Sequence, residues 1–282
     1  MAPSVDHMKI GFMQGRLSPI LNGRIQSFPW KTWRDEFSVG KRLGFDLIEW
    51  TIDSENVFKN PLLSPRGQYE INSLISAHAM GVESITCDFF MENPPWLSER
   101  NFNLNVGLLN KILHTAEGVG IYLMIIPLVD NSSVKNNSHL DCVLECMEAT
   151  EVRESRVKIL FESDFNPTEL KKLLSRLDDT FFGVNLDLGN SAALGWEPRN
   201  EVDILGKWIG NVHVKDRKFG GPTVKLGSGD VNFVAYFESL ENVSYTGNLI
   251  LQTARAVDDN HELELERNLN FIKQVKNRVM ER

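Results

Sequence analysis

Cysteine is scarce in this chain: Cys87, Cys142 and Cys146 are the only ones among 282 residues. Three thiols cannot all pair with one another, so the chain does not read as a disulfide-stapled secreted scaffold and fits a reducing cytosol. Cys142 and Cys146 lie four apart in an expected helix. No further Cys or His at zinc-site spacing stands near them, and they read as small buried residues. Long apolar runs are also missing. Nothing approaches the ~20 residues needed to cross a bilayer, so no membrane partner is expected. The segment from Met1 to Met8 has neither a basic start nor an apolar core, so no secretory signal is expected and the location expected is cytoplasmic. A basic excess is absent as well: 30 Lys and Arg face 38 Asp and Glu, a net charge of −8. That argues against a nucleic-acid partner while leaving room for a local cationic pocket. Finally, no linker rich in Pro, Gly or Ser and no low-complexity segment interrupts the chain, so residues 1–282 read as one domain.

What is present is a globular composition, 42% hydrophobic and 24% charged, arranged as a repeating alternation. Strand-like apolar runs begin near Met8, Phe45, Val82, Ile121, Val157, Phe181, Ile209 and Asn248, with amphipathic helical stretches between them. The spacing predicts a helix opened by Asn166-Pro167, with Glu169 placed for a capping box and Leu170, Leu173, Leu174 and Leu177 on one face. The last helix carries Leu265, Leu269, Ile272 and Val275 or Val279 inward. Strands alternating with helices imply βαβ units and a parallel sheet. Near-continuous apolar strands such as Tyr122-Leu-Met-Ile-Ile126 suit a sheet buried on both faces. Eight such repeats in a chain slightly longer than the typical ~250 residues give the expected fold: α/β, a single (β/α)8 TIM barrel.

Four metal-capable side chains fall at the ends of four successive strand-like runs: Glu162, Asp187, His213 and Gln252. Strand C-termini of such a barrel converge on one mouth, where catalytic residues gather. Two carboxylates, an imidazole and an amide oxygen would there face one divalent cation, with Mn²⁺, Mg²⁺ or Co²⁺ favoured and Zn²⁺ also accommodated. Each residue has a plainer reading. Glu162 before Ser163-Asp164 could be a solvated loop acid, Asp187 before Leu-Gly-Asn could start a turn, and His213 could be a structural histidine. Their joint placement favours the site. His7, His78, His114, His139 and His261 have no such support and read as structural or exposed.

Several segments together resemble a known family. Gly11-Phe-Met-Gln-Gly-Arg-Leu17, Ile48-Glu49-Trp50, Phe161-Glu162, Asn185-Leu-Asp-Leu-Gly-Asn190, His213-Val-Lys-Asp216 and Gly227-Ser-Gly-Asp230 are similar, in order and placement, to the xylose-isomerase-like TIM-barrel superfamily, in particular its sugar-phosphate isomerase/epimerase branch. The resemblance implies a divalent-metal site at Glu162, Asp187, His213 and position 252, with two glutamates serving as ligands and as acid/base groups on opposite faces of a sugar. Here position 252 is Gln, which can ligate through its amide oxygen but cannot accept a proton at useful pH. The expected activity is therefore isomerisation or epimerisation of a sugar or sugar phosphate through an enediolate. Glu162 is the general base, and one-base aldose–ketose isomerisation is weighted slightly above two-base epimerisation unless Asp216 or a water supplies the second proton.

Further residues are expected to touch the substrate. Gln14 and Arg16 follow the first strand and Asp88 follows the third. Lys215, Asp216, Arg217 and Lys218 follow the seventh, ahead of a glycine-rich stretch expected to be a flexible loop, and Arg255 follows the eighth. The cationic members could bind phosphate or merely solubilise a loop. Trp50, Phe89 and Phe90 read as rim packing and Glu49 as a supporting acid. The alternatives are a metal-dependent inosose-type dehydratase and a non-catalytic sugar-binding barrel. DNA repair by a three-metal relative of this superfamily is disfavoured, since Asn190 stands where those enzymes carry His and the loop from Pro222 to Gly229 has none. The sequence is compatible with a homo-oligomer and does not reveal the oligomeric state.

Overall fold

The computed structural model describes residues 8–21 and 23–281, so His7 lies outside the described residues. Eight parallel strands close into a barrel: β1 (Ile10–Met13), β2 (Leu47–Ile52), β3 (Ser84–Cys87), β4 (Leu123–Leu128), β5 (Lys158–Ser163), β6 (Phe182–Asp187), β7 (Ile209–Val214) and β10 (Asn248–Leu251). Each pairs with its neighbour in the chain, and β10 closes the ring on β1. Every strand begins within two residues of the position its apolar run predicts.

Around the barrel run α1 (Asp35–Leu43), α2 (Pro65–His78), α4 (Glu99–Ala116), α5 (Asn137–Glu148), α6 (Pro167–Leu174), α8 (Pro198–Leu205), α9 (Phe233–Asn242) and α10 (His261–Met280). Two short helices, α3 (Asp88–Glu92) and α7 (Leu188–Leu194), start directly at the ends of β3 and β6. Asn166 caps α6 as expected, accepting from the Glu169 amide at 3.0 Å. The helix ends at Leu174, because residues 175–177 tighten into turns. Leu177 consequently packs on the core from beyond the helix. On α10, Leu265, Leu269, Ile272 and Val279 are buried and Val275 is half-buried. The cysteines are free thiols, Cys87 and Cys146 buried and Cys142 half-buried. Among the described residues no helix is long and apolar enough to cross a membrane.

Side chains alternate across each strand with a period of two, which sorts them into two compartments. The main core, between strands and helices, takes Phe12, Ile48, Trp50 and Phe161. Inside the barrel, Met13, Leu47 and Ile250 form one small apolar cluster, and Leu123, Ile125 and Leu160 form another. The inner positions nearer the mouth are polar: Glu49, Thr86, Glu162, Asn185, Asp187, Asn211 and His213, all buried. An apolar floor beneath a polar upper layer is what positions the site.

After β7 the chain does not form the flexible loop that its glycines suggest. It folds back as an antiparallel pair, β8 (Asp216–Arg217) with β9 (Thr223–Val224). Asp216 holds this arm together by accepting from the amides of Gly227 and Gly229, each at 2.8 Å, and Val231 at 3.2 Å. A Cβ at residue 229 would lie 2.0 Å from Asp216 Oδ1, so the close approach requires glycine.

Candidate active site

Glu162, Asp187 and His213 come together at the mouth, fully or nearly buried, each offering one ligand atom, and these atoms lie within 4.8 Å of one another. Register explains the convergence: Asp187 on β6 pairs directly with His213 on β7, and Glu162 sits one residue from the end of β5. His213 Nδ1 lies 3.0 Å from Glu162 Oε2 yet is not aligned for a hydrogen bond. The two atoms are close enough to form an ion pair when the ring is protonated. Asp187 satisfies both of its sequence readings with different atoms. Its Oδ1 caps α7 by accepting from the Asn190 amide at 2.8 Å, and its Oδ2 faces the Lys215 ammonium at 2.7 Å.

A buried network below the triad fixes its orientation. Glu49 on β2 accepts from Ser84 and Thr86 hydroxyls, both at 2.6 Å, and from Asn211 Nδ2 at 3.0 Å, and its Oε1 lies 2.7 Å from His213 Nε2. A carboxylate on one ring nitrogen holds that nitrogen protonated and turns the other outward as a donor, the usual support of a metal-ligating histidine. Asn211 also donates to Asn185 Oδ1 at 2.8 Å, and Asn185 donates to Glu162 Oε2 at 2.9 Å. Asn190 adds a bond to Glu162 Oε1 at 2.8 Å.

Charges in this cluster are strongly shifted. Burial alone would raise the Glu162 carboxyl, but His213 beside it, with Lys215 and Asn185, holds it at about 2. Burial works against the His213 imidazolium, yet Glu49 and Glu162 raise it to about 10. Burial also lifts Asp187 above the usual carboxylate range, against the pull of Lys215. When ionised, the carboxylates of Glu49, Glu162 and Asp187 face one imidazolium and one ammonium. Exchange of the imidazolium proton for a divalent cation would leave the cluster neutral, so the donor set fits such a cation in charge as well as in chemistry.

The fourth candidate ligand is differently placed. Gln252 directly follows β10, and its Oε1 accepts from Lys215 Nζ at 2.9 Å, so the lysine bridges Gln252 and Asp187. The stem of Lys215 reaches there over Gly189, where a Cβ would meet its Cγ at 2.8 Å. The Gln252 amide donates to Gln26 Oε1 at 3.3 Å.

Above these groups opens a cavity of about 600 Å³, lined by Arg16, Gln26, Asp88, Glu162, Lys215, Arg217 and Gln252 among others. Arg16, Asp88, Lys215 and Arg217 thus reach the cavity as the sequence suggests. Burial, reinforced by Arg255, lowers the Arg16 guanidinium to about 9. Arg217 donates to Asn190 Oδ1 at 2.9 Å and to the Gly221 carbonyl. Other expected contacts lie elsewhere. Asp216 is used within its hairpin, so it does not offer the second proton group considered for it. Gln14 is buried between β1 and β2, accepting from the Thr51 amide at 3.1 Å. Arg255 binds the carbonyls of Gly15 and Ser18, behind the cavity wall, and Lys218 pairs with Asp230 at the surface. Trp50, Phe89 and Phe90 are buried in the core. The sequence reading missed Asn185 and Asn211, although both stand two residues before a candidate ligand on the same strand face. It also missed Gln26, which lies in an irregular loop and carries no sequence signal.

A family model described as xylose isomerase-like TIM barrel matches residues 37–275. The chain belongs to this family. Among curated relatives it is similar to the L-ribulose-5-phosphate 3-epimerase UlaE of Salmonella paratyphi A, 24% identical over 253 residues that cover 86% of this chain and 89% of the relative. The counterpart in Salmonella heidelberg is 25% identical over 257 residues, with the same coverage. Among solved structures, a xylose isomerase domain protein from Planctomyces limnophilus has a TM-score of 0.73 at 14% identity, covering 98% of this chain and 100% of that one. D-allulose 3-epimerase from Methylomonas sp., in complex with D-allulose, gives 0.69 at 14% identity, covering 96% and 98%. These structural likenesses establish the xylose isomerase-like barrel fold.

Proposed function

We propose that this chain is a metal-dependent isomerase or epimerase of a sugar or sugar phosphate that works through an enediolate, with Glu162 as the base. The observation that carries the reading is the buried Glu162, Asp187 and His213 triad, whose Glu162 lines a cavity large enough for a monosaccharide phosphate. The curated relatives that act on L-ribulose 5-phosphate support it. A divalent ion held by Glu162, Asp187 and His213, with Gln252 Oε1 as a fourth donor, would supply charge stabilisation for adjacent substrate oxygens. The remaining work belongs to the protein's own groups. Glu162 is ionised across the neutral range, the protonation state that a base requires. Glu49, Asn185 and Asn211 fix Glu162 and His213 before substrate arrives, and the Asn190 amide fixes Asp187. The Arg16 guanidinium is costly to keep charged in its buried place, so a substrate anion beside it would be favoured; Lys215 and Arg217 complete a cationic side for a phosphate.

The test is a panel of ketoses, aldoses, their phosphates and inososes incubated with metal-loaded protein in D₂O, followed by NMR. Isomerisation or epimerisation with deuterium incorporation is expected, and Glu162→Gln should lower exchange by about 10²–10⁴-fold while retaining metal. Substantial turnover by that variant would refute Glu162 as the base. Loss of water from an inosose would favour a lyase, and metal binding without exchange on any sugar would favour a binding-only barrel.

A further inference from the structure

Inverting a carbon beside a carbonyl requires one group to remove a proton from one face and a second to deliver one to the other. Gln252 cannot be that second group, and Asp216 is held by three backbone amides within its hairpin. Asp88 is left. It begins α3 at the end of β3, is 8% exposed and lines the same cavity as Glu162, from a strand two places away around the ring. Its Oδ2 accepts from Gln26 Nε2 at 2.7 Å, and among the described residues no hydrogen bond engages Oδ1. Gln26 also accepts from Gln252 at 3.3 Å and from Arg16 at 3.3 Å, so one side chain links the Asp88 carboxyl to the Gln252 amide.

We propose that Asp88 is the second acid/base of this site, so that the chain epimerises its sugar by proton transfer between Glu162 on one face and Asp88 on the other. This rests on the enediolate reading above. In one turnover the Glu162 carboxylate takes the C–H proton, and the electron pair of that bond is delocalised into the enediolate. The pair then forms the new C–H bond with the proton of the Asp88 carboxylic acid. Glu162 ends protonated and Asp88 ionised, and exchange with solvent restores both.

The surroundings of Asp88 suit the task. Burial raises its carboxyl to about 7 against the Gln26 hydrogen bond, with Glu92, Asp53 and Glu162 adding to the rise. The other titratable groups near it are the Arg16 guanidinium and the Cys87 thiol, the latter kept neutral by burial. Near neutral pH both forms are populated, as a group that donates in one direction and accepts in the other requires.

The experiment follows deuterium and configuration together for any ketose or ketose phosphate of the panel that wild type turns over. Wild type should invert the carbon with deuterium from solvent, the rate falling as pH rises through about 7. Asp88→Asn should lower inversion by about 10²-fold or more, and by far more than it lowers Glu162-dependent exchange with retained configuration. Gln26→Leu keeps the carboxyl and serves if Asp88→Asn does not fold. Removal of its bond should shift the falling limb to higher pH. Inversion by Asp88→Asn at the wild-type rate overturns the role, as does equal loss of exchange and inversion with the pH limb unchanged. Wild-type turnover without inversion overturns it too, while leaving the isomerase reading intact. A wild-type chain that exchanges no C–H proton overturns both.

Discussion

The two sides of the barrel mouth are built by different means. On the side of β5, β6 and β7, the functional groups belong to strands: Glu162 and His213 are locked from below by buried bonds to Asn185 and Glu49, which Asn211 joins, and Asp187 by its cap on the Asn190 amide. On the side of β10, β1 and β3, the groups stand at or beyond strand ends. Gln252, Gln26, Asp88 and Arg16 hold one another through side-chain bonds at the cavity wall. Lys215 joins the two sides by bonding Asp187 and Gln252 at once. The first side is preorganised, as metal ligation demands. The second is held by amide bonds that a substrate's hydroxyls could replace, as recognition demands.

The sharpest way to break this contrast is at Glu49. Glu49→Gln should weaken metal binding by about 10–100-fold, because His213 loses the partner that orients it. It should also destabilise the fold by about 1–3 kcal/mol, since buried donors lose a charged acceptor. The same variant tests the linkage. With His213 raised to about 10, metal uptake at pH 8 displaces about one proton in wild type. Removal of the Glu49 charge lowers the His213 pKa, so fewer protons should be released, as read by calorimetry in buffers of different ionisation enthalpy. A proton count unchanged by the substitution would mean that Glu49 does not set the state of His213.

A smaller effect of opposite sign is expected at Lys215. Its ammonium holds Asp187 Oδ2 and Gln252 Oε1, two oxygens that a metal would also use. Lys215→Met should therefore tighten Mn²⁺ binding by about tenfold, the scale of one charge-assisted hydrogen bond. Weaker binding would show that the lysine supports the site instead of competing with the cation.

How far the sequence could be read follows the same division. Glu162, Asp187 and His213 stand out because a charged or ionisable residue that ends an apolar strand has little structural reason to be there. Their strands were legible because runs buried on both faces carry few polar residues. Asn185 and Asn211 left a signal in the period-two spacing to Asp187 and His213, and reading that spacing would have found them. The loop side left much less. Gln26 acts through an irregular path between β1 and α1 that no periodicity encodes. The hairpin after β7 depends on Asp216 collecting distant amides, so its glycines pointed to flexibility where the structure has close packing. Arg255 and Lys218 follow strand ends in sequence as Arg16 and Lys215 do, and only three-dimensional packing separates those that reach the cavity from those that do not.

The most direct measurement is a Mn²⁺ titration, followed by the EPR signal of the free ion, of wild type, Asp187→Ala and Gln252→Ala. The account predicts stoichiometric binding by wild type, loss of that binding in a folded Asp187→Ala, and a decrease of only about tenfold in Gln252→Ala, because the metal is held chiefly by the preorganised side. Wild-type affinity in Asp187→Ala, or complete loss at Gln252→Ala while Asp187→Ala still binds, would contradict it.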